Sequence, residues 1–220
     1  MKGNFEVVKV LVEAGALLNR TTKDGRTALY LAVQEGHVEV SKYLTDQYPK
    51  AITQTTQSGR LPIQAAAAYH DPTPAYEMTT YLLSHTHDNV IHHRDNSGRN
   101  LLLDAALSQN LTLLRYLIID QGANISNTDS LGRNMIHHAA MTGHLNVLEM
   151  ILNIKPQQQG WDNADSWDHW TPLMHAARQG HFDIVQFLVE TVHVNKLTKD
   201  KHGRTAKDIG KCVYNNNKCY

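Results

Sequence analysis

The chain has only two cysteines, Cys212 and Cys219, both within its last nine residues. Two thiols so near one end cannot staple a chain of 220 residues, so the sequence reads as a protein of a reducing compartment, cytoplasmic or nuclear. It has no excess of charge either. Lys plus Arg is 21 and Asp plus Glu is 21, where a nucleic-acid binder would show a basic surplus. No apolar run approaches the roughly 18 residues that a membrane span needs. Met1-Lys2-Gly3-Asn4 leads into an amphipathic stretch and not into a secretion signal. On that reading the glycosylation acceptor patterns at Asn110 and Asn124 are chance matches. Catalytic signatures are missing as well. There is no glycine-rich phosphate loop, no Gly-x-Ser-x-Gly elbow, no His-Glu-x-x-His, and no cysteine near a recurrent histidine. Without a nucleophile paired to a base, the expectation is a chain with no enzymatic activity and no cofactor.

What the chain does have is a phrase that returns. It reads DGRTALYLAVQEGHVEVSKYL from Asp24, SLGRNMIHHAAMTGHLNVLEMIL from Ser130 and DHWTPLMHAARQGHFDIVQFLVE from Asp168. A turn glycine serves as a ruler at Gly25, Gly59, Gly98, Gly132 and Gly203, with His169 in the glycine's place in one copy. The steps between these positions are 34, 39, 34, 37 and 34 residues. Ala32, Ala66-Ala67, Ala105-Ala106, Ala139-Ala140 and Ala176-Ala177 share one slot, where small side chains let neighbouring helices approach closely. Gly36, Gly143 and Gly180 are placed to end that first helix. A second helix follows, with apolar residues at helical spacing, as in Leu145, Val147, Leu148 and Ile151. Lys23-Asp24-Gly25 and Asn96-Ser97-Gly98 read as turns of short β-hairpins. A composition that is 41% hydrophobic supplies enough apolar material for each unit to bury a face against its neighbours.

A period near 33 residues together with Thr171-Pro172-Leu173-Met174-His175-Ala176-Ala177-Arg178-Gln179-Gly180-His181 strongly resembles the ankyrin repeat, over about residues 3 to 210. The resemblance implies an all-α ankyrin-repeat solenoid of stacked helix-turn-helix units joined by short β-hairpin loops. The expected layout is one domain over 1–210 and a polar tail over 211–220. Within the domain, a half repeat at 3–21 precedes full repeats at about 22–53, 54–93, 94–127, 128–164 and 165–195, and a capping half repeat at 196–210 follows. The half repeat has only a second helix, and it leaves Val7, Val8 and Leu11 poorly covered. That suggests a fragment of a longer array or an irregular cap.

Specificity should lie where the copies differ. After Ala65–Ala68, the stretch Asp71-Pro72-Thr73-Pro74 stands where Gly-His belongs, which predicts an extended loop of about four inserted residues. All three tryptophans fall within ten residues, Trp161, Trp167 and Trp170, in a stretch from Gln157 to Trp170 with three acids, Asp168 among them, and no Lys or Arg. Trp anchors dominate interface energetics, so this loop is a candidate contact. The alternative is that Trp161 and Trp167 pack over a gap left by the longer connection. Trp170 takes the turn position held elsewhere by Arg26, Arg60, Arg99, Arg133 and Arg204, and by register it should be the most exposed tryptophan. The arginines would form a row, either a rib for an acidic partner or a solvated turn position. Asp104 and His138 should be exposed on the inner helices and line a concave groove.

The fourteen histidines do not suggest a metal site. His92-His93 and His137-His138 are adjacent, so on a helix they would not face each other. His85 and His87 alternate, and His37, His144 and His181 sit in the repeat's own Gly-His slot. From Lys196 to Tyr220 the chain carries seven Lys plus Arg against Asp200 and Asp208, read as a solvated cap. Taken together, the sequence predicts a monomeric, non-catalytic interaction module. It would bind a protein partner through its concave face and turns, without nucleic acid and without membrane insertion. The other possibility is an accessory region of a larger enzyme, channel or signalling protein.

Overall fold

The computed structural model describes residues 4–86, 90–155 and 160–214, with side chains up to 210. His87, Gln157–Gln159, the side chain of Cys212, and Cys219 with the tail from 215 lie outside the described residues. The chain divides into two compact units, 1–123 and 124–220.

The first unit is built from helices α1 (Phe5–Glu13), α2 (Ala28–Gln34), α3 (Val38–Gln47), α4 (Pro62–Ala67), α5 (Pro72–Ser84), α6 (Leu101–Leu107) and α7 (Leu111–Arg115). A π-helical turn, Tyr116–Asp120, prolongs α7. First helices α2, α4 and α6 pack side by side, and each packs on its own second helix, α3, α5 or α7. The alanine slot is what permits the close layer: Ala66, Ala67 and Ala105 are fully buried and Ala32 is nearly so. Leu29, Ile63, Leu101, Leu102 and Leu103 fill the space between the layers.

The second unit repeats the plan with α8 (Met135–Thr142), α9 (Leu145–Ile154), α10 (Pro172–Gln179), α11 (Phe182–Gln186) and α12 (Ala206–Tyr214). Here α10 packs between α8 and α12.

Local chemistry explains where the helices begin and end. Thr27, Asn100, Asn134 and Thr171 cap the first helices by accepting a backbone N–H three residues on. Leu61 cannot cap, and there Gln64 Oε1 accepts the Leu61 N–H at 3.1 Å in its place. Gly36, Gly143 and Gly180 end the first helices with φ of 73°, 84° and 78°, the left-handed region. At Gly36 an added Cβ would also sit inside the Tyr69 ring.

Two expectations need correction, and a third holds in part. The prolines at 72 and 74 do not form an extended loop. Asp71 caps α5 by accepting the Thr73 N–H at 3.1 Å, and both prolines occupy the first turn, where N–H groups have no helical partner anyway. The insertion lengthens the helix to 13 residues against 10 in α3 and α9. Among the described residues no β-strand forms, only an isolated bridge between Thr21 and Thr27. The connections are tight turns closed by backbone bonds such as Thr56 N to Arg60 O at 3.0 Å and Gly59 N to Thr56 O at 2.9 Å. Finally, the poorly covered face of α1 is real at Val7 and Leu11, 51% and 55% exposed, while Val8 is half-buried.

Candidate functional site

Within each unit the turns are locked to one another. Gln57 N donates to Asp24 O and Asn96 N to Ser58 O, both at 2.9 Å, in the first unit. Ser166 N donates to Leu131 O at 2.8 Å and Lys201 N to Asp168 O at 3.0 Å in the second. Backbone polar groups that water would otherwise claim are paired turn to turn, which sets the spacing of whatever side chains the turns display.

A second device holds each turn from inside. Four turns open on an aspartate, Asp95, Asp129, Asp165 and Asp200, each about 5–6% exposed. One carboxylate oxygen accepts two backbone N–H groups of the turn, Leu131 and Arg133 at 2.9 and 3.0 Å for Asp129. In Asp95, Asp129 and Asp200 the other oxygen faces the arginine four residues on, at 2.9 Å for Asp129 and 2.8 Å for Asp200. In the two turns that open on threonine, Thr22 and Thr56 hydroxyls accept the corresponding arginine N–H at 3.1 Å. The sequence carried the signal, an Asp four residues before each Arg in most turns, but read the arginines alone.

The arginine row is therefore neither a free rib nor a solvated position. Arg60, Arg133 and Arg204 side chains are 19%, 22% and 24% exposed and ion-paired. Arg60 has no acid in its own turn and reaches Asp104 Oδ2 at 3.0 Å. Arg99 lies 3.5 Å from Asp95. Arg26 is the most open, lying over the Tyr30 ring at 5.8 Å and donating to Gln34. With Tyr69 and His70, Arg26, Arg60 and Arg99 line a cavity of about 960 Å³ in the first unit.

Asp104 and His138 are not exposed, as their register suggested, but about 1% and 5% exposed. Both are recruited by the turns. Besides Arg60, Asp104 accepts from Gln64 Nε2 at 3.3 Å, and His138 Nε2 stands 3.0 Å from Asp129 Oδ2. His175, at the same register in the next repeat, bonds Asp165 Oδ2 at 3.1 Å. Of the paired histidines, His93 reaches Gly59 O at 2.7 Å and His137 bonds Asn134 at 2.7 Å. Among the described residues no three His, Cys, Asp or Glu gather as metal ligands.

Burial and pairing set these groups' protonation. Burial raises the Asp104 carboxyl to about 6, with Arg60 and Arg99 pulling back. Burial would raise Asp129 too, but hydrogen bonds from His138 and Arg133 outweigh it and hold the carboxyl well below its usual range. Burial lowers His137 to about 4, helped by His175, and lowers His175 against the pull of Asp165.

The two units should consequently answer acid in opposite senses. His137 and His175 have folded values below the unfolded 6.5, so their contribution is full at high pH and is lost as pH falls from about 6.5 toward 4. Asp104 has a folded value above the unfolded 3.8, so its penalty is relieved as pH falls through about 6. Going from pH 7 to 5, His137 should weaken residues 124–220 by about 2 kcal/mol and Asp104 should strengthen 1–123 by about 1 kcal/mol. Amide hydrogen exchange by mass spectrometry, corrected for intrinsic rates, reads each unit separately; a parallel change in both would refute this.

The tryptophans separate. Trp161 is 7% exposed with its ring 6.2 Å from Phe187, so it packs inside the second unit and is withdrawn as a contact residue. Trp167, at the turn tip, is 68% exposed. Trp170 is half-buried, not the most exposed of the three. Its indole Nε1 donates to Asp200 Oδ2 at 3.2 Å and its ring meets His175 edge to face at 5.3 Å. His169 takes the glycine's left-handed conformation with φ 57°. This turn is one residue longer than the others, closing from Asp165 N to Trp170 O, and Trp167 holds the position two residues after its opening that is also exposed at Asp24, Ser58, Ser97 and His202. Asp168 is about one-third exposed, 3.9 Å from His202.

Comparison with known proteins agrees with this repeating geometry. The family model for ankyrin repeats in three copies matches residues 1–92, 65–160, 102–200 and 137–217. A relative from Saccharomyces cerevisiae, named probable 26S proteasome regulatory subunit p28, is 24% identical over 216 residues, covering 82% of this chain and 92% of that protein. No helix among the described residues is long and apolar enough to cross a membrane. With matched segments spanning nearly the whole chain, it belongs to the ankyrin-repeat family.

Proposed function

We propose that the chain is a non-catalytic module that binds a protein partner through its turns and first helices, acting in the cytoplasm or nucleus as a monomer. The observation that carries this reading is Trp167, a tryptophan 68% exposed on a turn whose backbone is held from inside by a buried carboxylate. A large indole presented on a rigid support costs little ordering entropy on binding and supplies much contact area. Arg26, Tyr30 and Tyr69 around the cavity of the first unit offer a second contact surface of the same kind. Nothing in the buried Asp, Arg and His clusters pairs a nucleophile with a base beside open space, which supports binding over catalysis.

Replacing Trp167 with Ala should weaken a captured partner by about 2 kcal/mol or more while leaving the melting temperature unchanged. Calorimetry and thermal unfolding of the same variant check both halves. Unchanged affinity would remove Trp167 from the contact. A narrower reading draws on alignment with p28 along 92% of that yeast protein's length. On it the partner belongs to the proteasome regulatory particle, and affinity capture with the full chain should enrich subunits of that assembly above other abundant complexes.

A further inference from the structure

We infer that the cavity beside the longer turn of the second unit is a receptor for an arginine side chain on the partner protein. This rests on the reading of the chain as a protein-binding module. The cavity holds about 360 Å³, and its lining includes Trp167, Trp170, Asp165, Asp168, His175 and Arg133.

The register makes the case. In the turns that open on Asp95, Asp129 and Asp200, the carboxylate faces the guanidinium of the arginine four residues later. In the turn that opens on Asp165 the corresponding position is Trp170, and Trp170 donates its indole N–H to Asp200 instead. Asp165 Oδ1 accepts the backbone N–H groups of Asp168 and Trp170 at 3.2 and 3.0 Å, and Oδ2 accepts from His175 at 3.1 Å. Among the described residues it is the turn aspartate with no arginine. Burial keeps His175 toward its neutral form, so it does not replace that charge.

The other cations near the cavity are already engaged. Arg133, in its lining, is bound by Asp129 at 2.9 Å, and that pairing already neutralises it. Lys201 Nζ donates to the carbonyls of Ser166 and Trp167. The balance inside the cavity is thus acidic, with two indoles around it. A guanidinium suits such walls better than an ammonium. It is planar and weakly hydrated, stacks on indole faces, and presents paired N–H donors to carboxylates. The partner's arginine would restore in trans the pairing that the other turns make in cis.

The test uses the full chain labelled with nitrogen-15, whose three tryptophans give three indole N–H signals. N-acetyl-arginine amide should shift the Trp167 and Trp170 signals saturably and leave the buried Trp161 signal in place. N-acetyl-citrulline amide, the uncharged isostere, should bind about tenfold more weakly, the cost of a lost charge-assisted contact. Trp170→Arg supplies the guanidinium from the chain itself and should abolish the response at Trp167. Asp168→Asn, at a partly exposed position, should weaken it without disturbing the fold. Equal binding of the citrulline amide, equal binding of N-acetyl-lysine amide, or an undiminished response in Trp170→Arg would each overturn the assignment. If the arginine amide fails to bind while Trp167→Ala still loses the captured partner, this inference falls and the module reading stands.

Discussion

Asp129→Ala is expected to destabilise the fold by about 3–5 kcal/mol, the cost of removing one member of a buried ion pair. The carboxylate is about 6% exposed and is the common acceptor for the Leu131 and Arg133 backbone N–H groups, the Arg133 side chain and His138 Nε2. Alanine removes the acceptor of all of them at once, and two are backbone donors of the closed turn. Arg133→Ala should cost much less, because its side chain is 22% exposed and Asp129 keeps its backbone and histidine partners. Urea unfolding of both variants, with the midpoint compared at constant slope, reads the difference. If the two substitutions cost the same, the aspartate does not organise the turn and the account of these loops is wrong.

Trp161→Ala should be of similar size, about 3–5 kcal/mol, the usual cost of deleting a buried large aromatic ring. Trp161 is 7% exposed and its ring lies against Phe187 in the second unit. The backbone just beyond it is tied down as well, since Asp162 Oδ1 accepts the Asn195 N–H at 2.9 Å. The contrast with Trp167, six residues away and 68% exposed, is the informative part. The Trp161 variant should unfold at distinctly lower denaturant and bind a partner normally once folded. The Trp167 variant should unfold normally and bind poorly. Thermal melts and binding isotherms on the two proteins separate the roles, and a reversal of the pattern would contradict the assignment of either ring.

Much of the fold was legible because it depends on local rules repeated several times. The alanine slot and the glycines after the first helices each announce one local requirement, and both are met. The prolines at 72 and 74 misled because proline forbids a helix interior but is welcome in a first turn, and only the position of the Asp71 cap decides between them. The candidate site was less legible. Register places Asp104 and His138 on first helices, but whether such a side chain meets water depends on the turns that come before it, where Arg60 and Asp129 take them inward. Trp170 was expected to be most exposed because arginine holds that position elsewhere. Its indole N–H instead finds Asp200 thirty residues on, a contact between neighbouring repeats that no local pattern announces. Trp167 stands two residues after Asp165, the tip position that is exposed in other turns at Asp24, Ser58, Ser97 and His202, and this is visible in sequence only once the turn openings have been aligned.

The central claim is that the turns and first helices carry the partner-binding surface. Hydrogen exchange of the chain, free and bound to a captured partner, tests it most directly. Protection on binding is expected at residues 165–171 and at other turns and first helices, with second helices α3, α5, α9 and α11 unchanged. Protection confined to those second helices, with the Trp167 turn exchanging as fast as in the free chain, would contradict it.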